Sequence, residues 1–274
     1  MPRALYDLHS HTTASDGTLS PSELMRLAKT AGLKAIAITD HDTVDGLPEA
    51  EVEAKTLGVE LVPGVEVSAT FGDVPVHVLG LFIDYRESWL KEWFAEAHHR
   101  RIERVHRIVS RLLAEKVHVT VEEVLARSSH GSVGRPHVAE VLVERGIVSS
   151  LAEAFERYLG ADRPAYVAYE KVTVRDAVGL IRRAGGIASL AHPVLLGDDT
   201  LIPKMVTDEI GALEAFHHDH TPEKAAEYER LAKTLGVLVT GGSDFHRLDG
   251  DSVKRLGCEE LTEEAFELLR DRVR

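Results

Sequence analysis

The sequence predicts an α/β fold, a barrel of strands and helices interrupted by a helical insertion, on three observations. Short apolar runs alternate with helix-patterned stretches in the first and last parts of the chain, the rhythm of βαβ units around a parallel sheet. From about Ser88 to Pro164 that rhythm stops and helical patterns take over, punctuated by Gly131, Gly134, Gly146 and Gly160. Histidines or carboxylates follow nearly every apolar run, as expected where the C-terminal ends of strands converge on one polar face of a barrel.

The elements follow in order. The first run, Ala4 to Leu8, leads into Asp7-Leu8-His9-Ser10-His11, with Asp16 close behind. His9 and His11, at i and i+2 of an extended segment, point to the same side. Two neutral imidazoles with carboxylates nearby suit a borderline cation such as zinc, manganese or iron. A helix opens at Ser20, a fitting N-cap, with Pro21 at the first helical position and Glu23 completing a capping box; it runs to about Ala31, where Gly32 ends it. The run Ala35–Thr39 leads into Asp40-His41-Asp42, and a helix from about Pro48 to Leu57 ends at Gly58. Leu61–Val65 leads into Glu66, and Val76–Phe82 carries His77.

Inside the insertion, Arg100, Arg104, Arg107 and Arg111 share one helix face while Val105, Ile108, Val109 and Leu112 form the opposite one. Gly134-Arg135-Pro136-His137 reads as a turn. The βα rhythm then returns with a helix near Val174–Ala184 and a strand ending at His192-Pro193. A strand near Gly211–Phe216 precedes His217, His218 and His220; a helix spans about Pro222–Leu235; and Val237–Thr240 leads into Gly241-Gly242-Ser243-Asp244-Phe245-His246.

Composition narrows the function. A chain of 274 residues, 44% hydrophobic, can bury a large core in one domain or one domain plus an insertion. It has no long uncharged apolar run and no start resembling a signal peptide, so neither a membrane span nor export is expected. The single cysteine, Cys258, excludes an internal disulfide and fits the cytoplasm. A formal charge of −13 argues against broad electrostatic binding of duplex DNA, though bound divalent cations would invert the field at a local phosphate site.

Taken together, five motifs in order resemble the PHP (polymerase and histidinol phosphatase) family of metal-dependent phosphoesterases. They are Asp-Leu-His-Ser-His-Thr at 7–12, Ile-Thr-Asp-His-Asp at 38–42, Pro-Gly-Val-Glu at 63–66, Ala-His-Pro at 191–193 and Gly-Ser-Asp-Phe-His at 242–246. The resemblance implies a distorted (β/α)7 TIM-like barrel, formed by residues 1–87 and 165–274, with residues 88–164 as a helical insertion that contributes to substrate binding. It implies nine metal ligands: His9, His11, Asp16, His41, Glu66, His77, His192, Asp244 and His246. By the same resemblance His9, His11, Glu66 and Asp244 hold one cation, Glu66, His77 and His192 a second, and Asp16, His41 and His246 a third. The cofactors would be two or three divalent ions drawn from Mn, Zn, Fe or Mg.

The insertion with its Gly-Arg-Pro-His sequence resembles the branch that removes the 3′-phosphate from nucleoside 3′,5′-bisphosphates, some members of which also trim short RNA from the 5′ end. The implied chemistry is attack by a hydroxide bridging two cations that share Glu66, with Asp244 and His192 as the other catalytic groups. Arg135 and His137, then Arg100 and Arg104, are the candidates for substrate phosphate, and His217 for phosphate or the leaving oxygen. Asp7, Asp40 and Asp42 are candidates to fix the imidazoles from behind. His98-His99 reads as surface. The runner-up is a phosphatase of another small monoester such as histidinol phosphate. A non-catalytic metal-binding structural or regulatory domain is the reading from another class, and the unsubstituted ligand set speaks against it.

Overall fold

The computed structural model describes residues 5–127, 133–168, 172–206, 209–247, 256–258 and 261–273. Two compact units divide the chain, one made of Met1–Lys91 with Lys171–Arg274 and the other of Glu92–Glu170.

The first unit is built on seven strands: β1 (Tyr6–Asp7), β2 (Ala35–Ile38), β3 (Glu60–Phe71), β4 (Val74–Leu81), β5 (Ile187–Leu190), β6 (Ala212–His217) and β7 (Leu238–Gly242). They pair in chain order. The Leu8 N–H donates to the Gly241 carbonyl at 3.1 Å, and Ser10 bridges Phe245, so the first strand meets the last and the sheet forms a nearly closed, distorted TIM-like barrel. All four residues of β2 are buried, as a parallel strand covered on both faces requires.

One pairing departs from the parallel sheet expected from the rhythm of the sequence. β3 and β4 run antiparallel, and so do β4 and β5. Only Gly72 and Asp73 separate Phe71 from Val74, and a link that short can close a hairpin but cannot carry a crossover helix. Gly72 supplies the turn with φ of 60°. The departure has a use: β3 overshoots the barrel end, and β4 carries His77 back down opposite Ser68, two residues from Glu66.

The flanking helices form where their caps place them. In the helix Pro21–Ala31 the Glu23 N–H donates to the Ser20 hydroxyl, the Ser20 N–H donates back to the Glu23 carboxylate at 2.8 Å, and Gly32 closes the end at φ 79°. Leu47–Leu57, Val174–Arg183 and Pro222–Leu235 cover further strands. Among the described residues no helix is long and apolar enough to cross a membrane.

The second unit is helical, with Ser88–Ala114 leading into it, then Val121–Leu125, Arg135–Glu144, Leu151–Ala154 and a π-turn at Phe155–Leu159. Val105, Ile108 and Leu112 are fully buried in its core with Val138, Ala139 and Leu142, and Val109 packs against them. Gly134-Arg135-Pro136-His137, read from sequence as a turn, opens the helix Arg135–Glu144 instead. Proline suits the first helical turn, and the Gly134 N–H donates to His137 Nδ1 at 3.1 Å.

Candidate metal centre

Glu66, 1% exposed, lies at the middle of the site because β3 carries it to the barrel end where β1, β2, β5 and β7 also finish. Five imidazoles surround its carboxylate. Oε2 lies 3.3 Å from His9 Nε2, 3.2 Å from His11 Nε2 and 3.1 Å from His41 Nδ1. Oε1 lies 2.9 Å from His77 Nδ1 and 3.0 Å from His192 Nε2, which are 3.3 Å from each other. Asp244 Oδ1 closes the other side, 3.3 Å from His9 Nε2 and 3.1 Å from His11 Nε2. Asp16 gathers His246 Nε2 at 3.3 Å, His11 Nδ1 at 3.6 Å and His41 Nε2 at 3.7 Å. All nine residues expected as ligands therefore meet in one cluster.

The donor atoms fit divalent cations. His9 Nε2, His11 Nε2, His41 Nδ1, Glu66 Oε2 and Asp244 Oδ1 are buried and lack a hydrogen-bond partner within the protein. Buried polar atoms without partners are costly, and here they all face one point. Two donors each 2.0–2.1 Å from a tetrahedral zinc would sit about 3.3 Å apart, and the four contacts among His9, His11, Glu66 and Asp244 span 3.1–3.3 Å. His9, His11, Glu66 and Asp244 form one such group, and His11, Asp16, His41 and His246 another.

Electrostatics within the cluster keeps the carboxylates ionised. Burial opposes the charge on Glu66, yet His9, His41, His77 and His11 outweigh it and hold its pKa well below the usual range. Asp244 is held low in the same way by His9, His11 and His217, again against burial. For Asp16, burial is outweighed by His246, His41 and His11, and its pKa falls to about 2. Burial also works against a proton on His11, but Asp244 and Glu66 raise its pKa to about 9. Burial dominates at His41 and, with His11 and His77 adding to it, takes the pKa down to about 4.

Backbone geometry aims these groups. His192 (φ 27°), Asp244 (φ 48°) and Asp42 (φ 51°) occupy the left-handed region, a costly conformation that clusters at functional sites. Asp7 and Asp40, expected to steady imidazoles, hold main chain and hydroxyls instead. Asp7 accepts from the N–H groups of His9, Ser243 and Gly257 and from the Ser243 hydroxyl. Asp40 accepts from Thr12 N–H, the Thr12 hydroxyl and the Ser15 hydroxyl, each at 2.7 Å. Both sit where loop amides turn inward, so those amides claim the carboxylates. Asp42 accepts from the Ser68 N–H at 2.9 Å.

Gly242 lets β7 pass against β1. A Cβ there would fall 2.4 Å from His9 Cβ and 2.5 Å from its backbone nitrogen, closer than side chains tolerate. Gly242→Ala is expected to lower stability by about 1–3 kcal/mol and to cut turnover by displacing His9, read as a lower melting temperature together with lower activity. A variant matching the parent in both would show that the strands part at no cost.

The histidines after β6 separate. His217 is buried; the Asp219 N–H donates to its Nδ1 at 3.2 Å, which places the proton on Nε2, 3.4 Å from Asp244 Oδ2. His218 is exposed, and His220 Nδ1 donates to the Ala215 carbonyl at 2.8 Å. Sequence reading missed Glu214, fully buried in β6 and accepting from His9 and His192. The available signal was a carboxylate in the middle of the apolar run Ala212–Phe216, since a charge there is tolerated only when paired.

The remaining candidates belong to the helical unit. Arg135 donates to the Leu159 carbonyl at 3.0 Å and lies 5.5 Å from the ring centres of both Phe155 and Tyr166. Arg104 donates to the Val167 carbonyl at 3.0 Å and Arg111 to that of Tyr166, so part of the basic stripe holds the returning chain. Arg100 pairs with Glu96 at 2.7 Å. His98 and His99 are exposed, as read from the sequence.

Comparison with known proteins bears on this site. The PHP domain family matches residues 7–161. The chain is 34% identical over 253 residues to the 5′-3′ exoribonuclease Rnm of Escherichia coli (strain K12), covering 89% of this chain and 85% of that protein. It is 32% identical over 246 residues to the 3′,5′-nucleoside bisphosphate phosphatase of Chromobacterium violaceum, covering 88% and 86%. A solved structure of an amidohydrolase from Chromobacterium violaceum, with bound sulfate and no metal, is similar with a TM-score of 0.73 at 30% identity, over 98% of this chain and 97% of that one.

Proposed function

The chain belongs to the PHP family and is a metal-dependent phosphoesterase, and from that premise we propose that it hydrolyses the 3′-phosphate of nucleoside 3′,5′-bisphosphates, with 5′-to-3′ trimming of short RNA as a second activity of the same site. The observation that carries the proposal is the Glu66 carboxylate ringed by five imidazoles, with buried donor atoms that have no partner in the protein. Support for the substrate class comes from the names of the two similar proteins, one a bisphosphate phosphatase and the other an exoribonuclease.

His9, His11, Asp16, His41, Glu66, His77, His192, Asp244 and His246 hold the cations, two or three in number. Divalent cations bound there supply positive charge against a phosphate dianion and make water a competent nucleophile at neutral pH. Glu66 and Asp244 stay ionised and fix the facing imidazoles. Cleavage of the phosphorus–oxygen bond leaves an alkoxide that needs a proton, and His217 Nε2–H, beside Asp244, supplies it. For substrate choice we propose Arg135 and His137 of the helical insertion, with Arg100 and Arg104 as the candidates for a 5′-phosphate.

The test is phosphate release, with manganese added, across nucleotides, nucleoside 3′,5′-bisphosphates, sugar phosphates and histidinol phosphate. The bisphosphates should give the highest kcat/KM, and a preference for histidinol phosphate would sink the proposal. Arg135→Ala should weaken turnover of a bisphosphate about ten- to a hundredfold, the worth of a charge-assisted phosphate contact, and much more than that of p-nitrophenyl phosphate. Equal losses on both substrates, with a lower melting temperature, would assign Arg135 to the Leu159 carbonyl alone.

A further inference from the structure

We propose that Glu214 is a positioning residue that holds two of the metal-binding residues, His9 by its ring nitrogen Nδ1 and His192 by its main-chain N–H. The inference rests on the metal centre described above and adds a residue outside its nine ligands.

Glu214 sits inside β6 and is fully buried. A carboxylate in that position is tolerated only when both oxygens are satisfied, and they are. Oε1 accepts from His9 Nδ1–H at 3.0 Å, and Oε2 accepts from the main-chain N–H of His192 at 2.6 Å. The two partners come from different parts of the barrel, His9 following β1 and His192 following β5. The register between β6 and β7 slips just after Glu214, an irregularity of the kind that re-aims side chains.

Each bond acts on a residue of the metal centre. A proton on His9 Nδ1, held by Glu214, puts the ring's lone pair on Nε2. That nitrogen is the atom 3.3 Å from both Glu66 Oε2 and Asp244 Oδ1, buried and without a hydrogen-bond partner. The second bond pins His192 where its backbone is left-handed, at φ 27° and ψ 61°, and in that conformation its Nε2 reaches Glu66 Oε1 at 3.0 Å. Glu214 lies close enough to His9 and His217 for the three to share a cation, but its hydrogen bonds assign it the positioning role. Both of its oxygens face hydrogen donors, whereas Glu66 Oε2 and Asp244 Oδ1 face none. An apolar residue of similar size would fill the same space, so packing alone does not account for a carboxylate here.

Glu214→Gln keeps the volume and removes one of the two acceptors. If its amide oxygen takes the His192 N–H, its NH2 faces His9 Nδ1 and drives the ring proton to Nε2. If the amide turns over, the His192 N–H loses its acceptor. Two measurements test the proposal. Competition with a chromogenic chelator should show manganese held about ten- to a hundredfold more weakly by the variant, the usual effect of losing such a partner. Nitrogen-15 spectra of the zinc-loaded wild type should show His9 protonated at Nδ1, a signature that a role in packing alone does not fix.

A wild-type His9 protonated at Nε2 would overturn the proposal. So would a variant that binds manganese as tightly as the wild type. Should the variant fail to fold, the wild-type spectrum decides alone. A wild type that binds no manganese or zinc would remove the phosphoesterase reading itself, and is thereby distinguished from failure of the role given to Glu214.

Discussion

Glu66→Gln should lower turnover by more than about a hundredfold. The carboxylate faces five imidazoles, three at Oε2 and two at Oε1. An amide offers one neutral oxygen in place of two ionised ones and turns an NH2 group toward at least two of those rings. The anion that holds the cluster together, and the charge that shared cations require, is lost at a position with no room to rearrange. Substrate binding should fall less, because the arginines proposed to contact phosphate are untouched. Kinetics on a bisphosphate, with metal content measured on the same sample, checks this. Near-normal turnover with metals still bound would remove Glu66 from the centre of the chemistry.

Stripping the metals should take phosphate release to background, and added manganese should restore it. Five buried donor atoms of the cluster lack any partner in the protein. Among the described residues no other arrangement of nucleophile and base stands out beside them. Elemental analysis of the untreated protein should give more than one divalent ion per chain. The chelated protein should also melt lower, because an ion that binds only the folded state stabilises it by about 2.7 kcal/mol at a hundred times its dissociation constant. Full activity in protein shown to be free of divalent metal would end the proposal.

Residue chemistry at strand ends made most of the site legible in advance. His9 and His11 declare themselves by i, i+2 spacing, and Glu66, His192 and Asp244 by following apolar runs. Helix limits were legible where capping is local: Ser20, Glu23 and Gly32 fix one helix among themselves, within a few residues of chain. His77 was legible as a residue but not in its placement, because direction in a sheet depends on the link between strands. The two residues between β3 and β4 were the signal for an antiparallel return.

Other features needed the fold. Asp7, Asp40 and Glu214 are all carboxylates near strand ends or within strands, and the sequence gives no means of ranking them as partners for imidazoles. Only the folded chain shows that Asp7 and Asp40 are claimed by the turning amides of 9, 12, 243 and 257, while Glu214 reaches His9. Arg135 likewise reads from sequence as a free phosphate clamp, and in the structure it is bonded to the Leu159 carbonyl. The sequence by itself determined the kind of chemistry, through residue types set at apolar run ends, and the barrel class, through its periodicity. The tertiary structure decided which side chain serves which atom, because hydrogen-bond partners more than two hundred residues apart, such as His9 and Glu214, are chosen by closure of the barrel and leave no trace in local spacing.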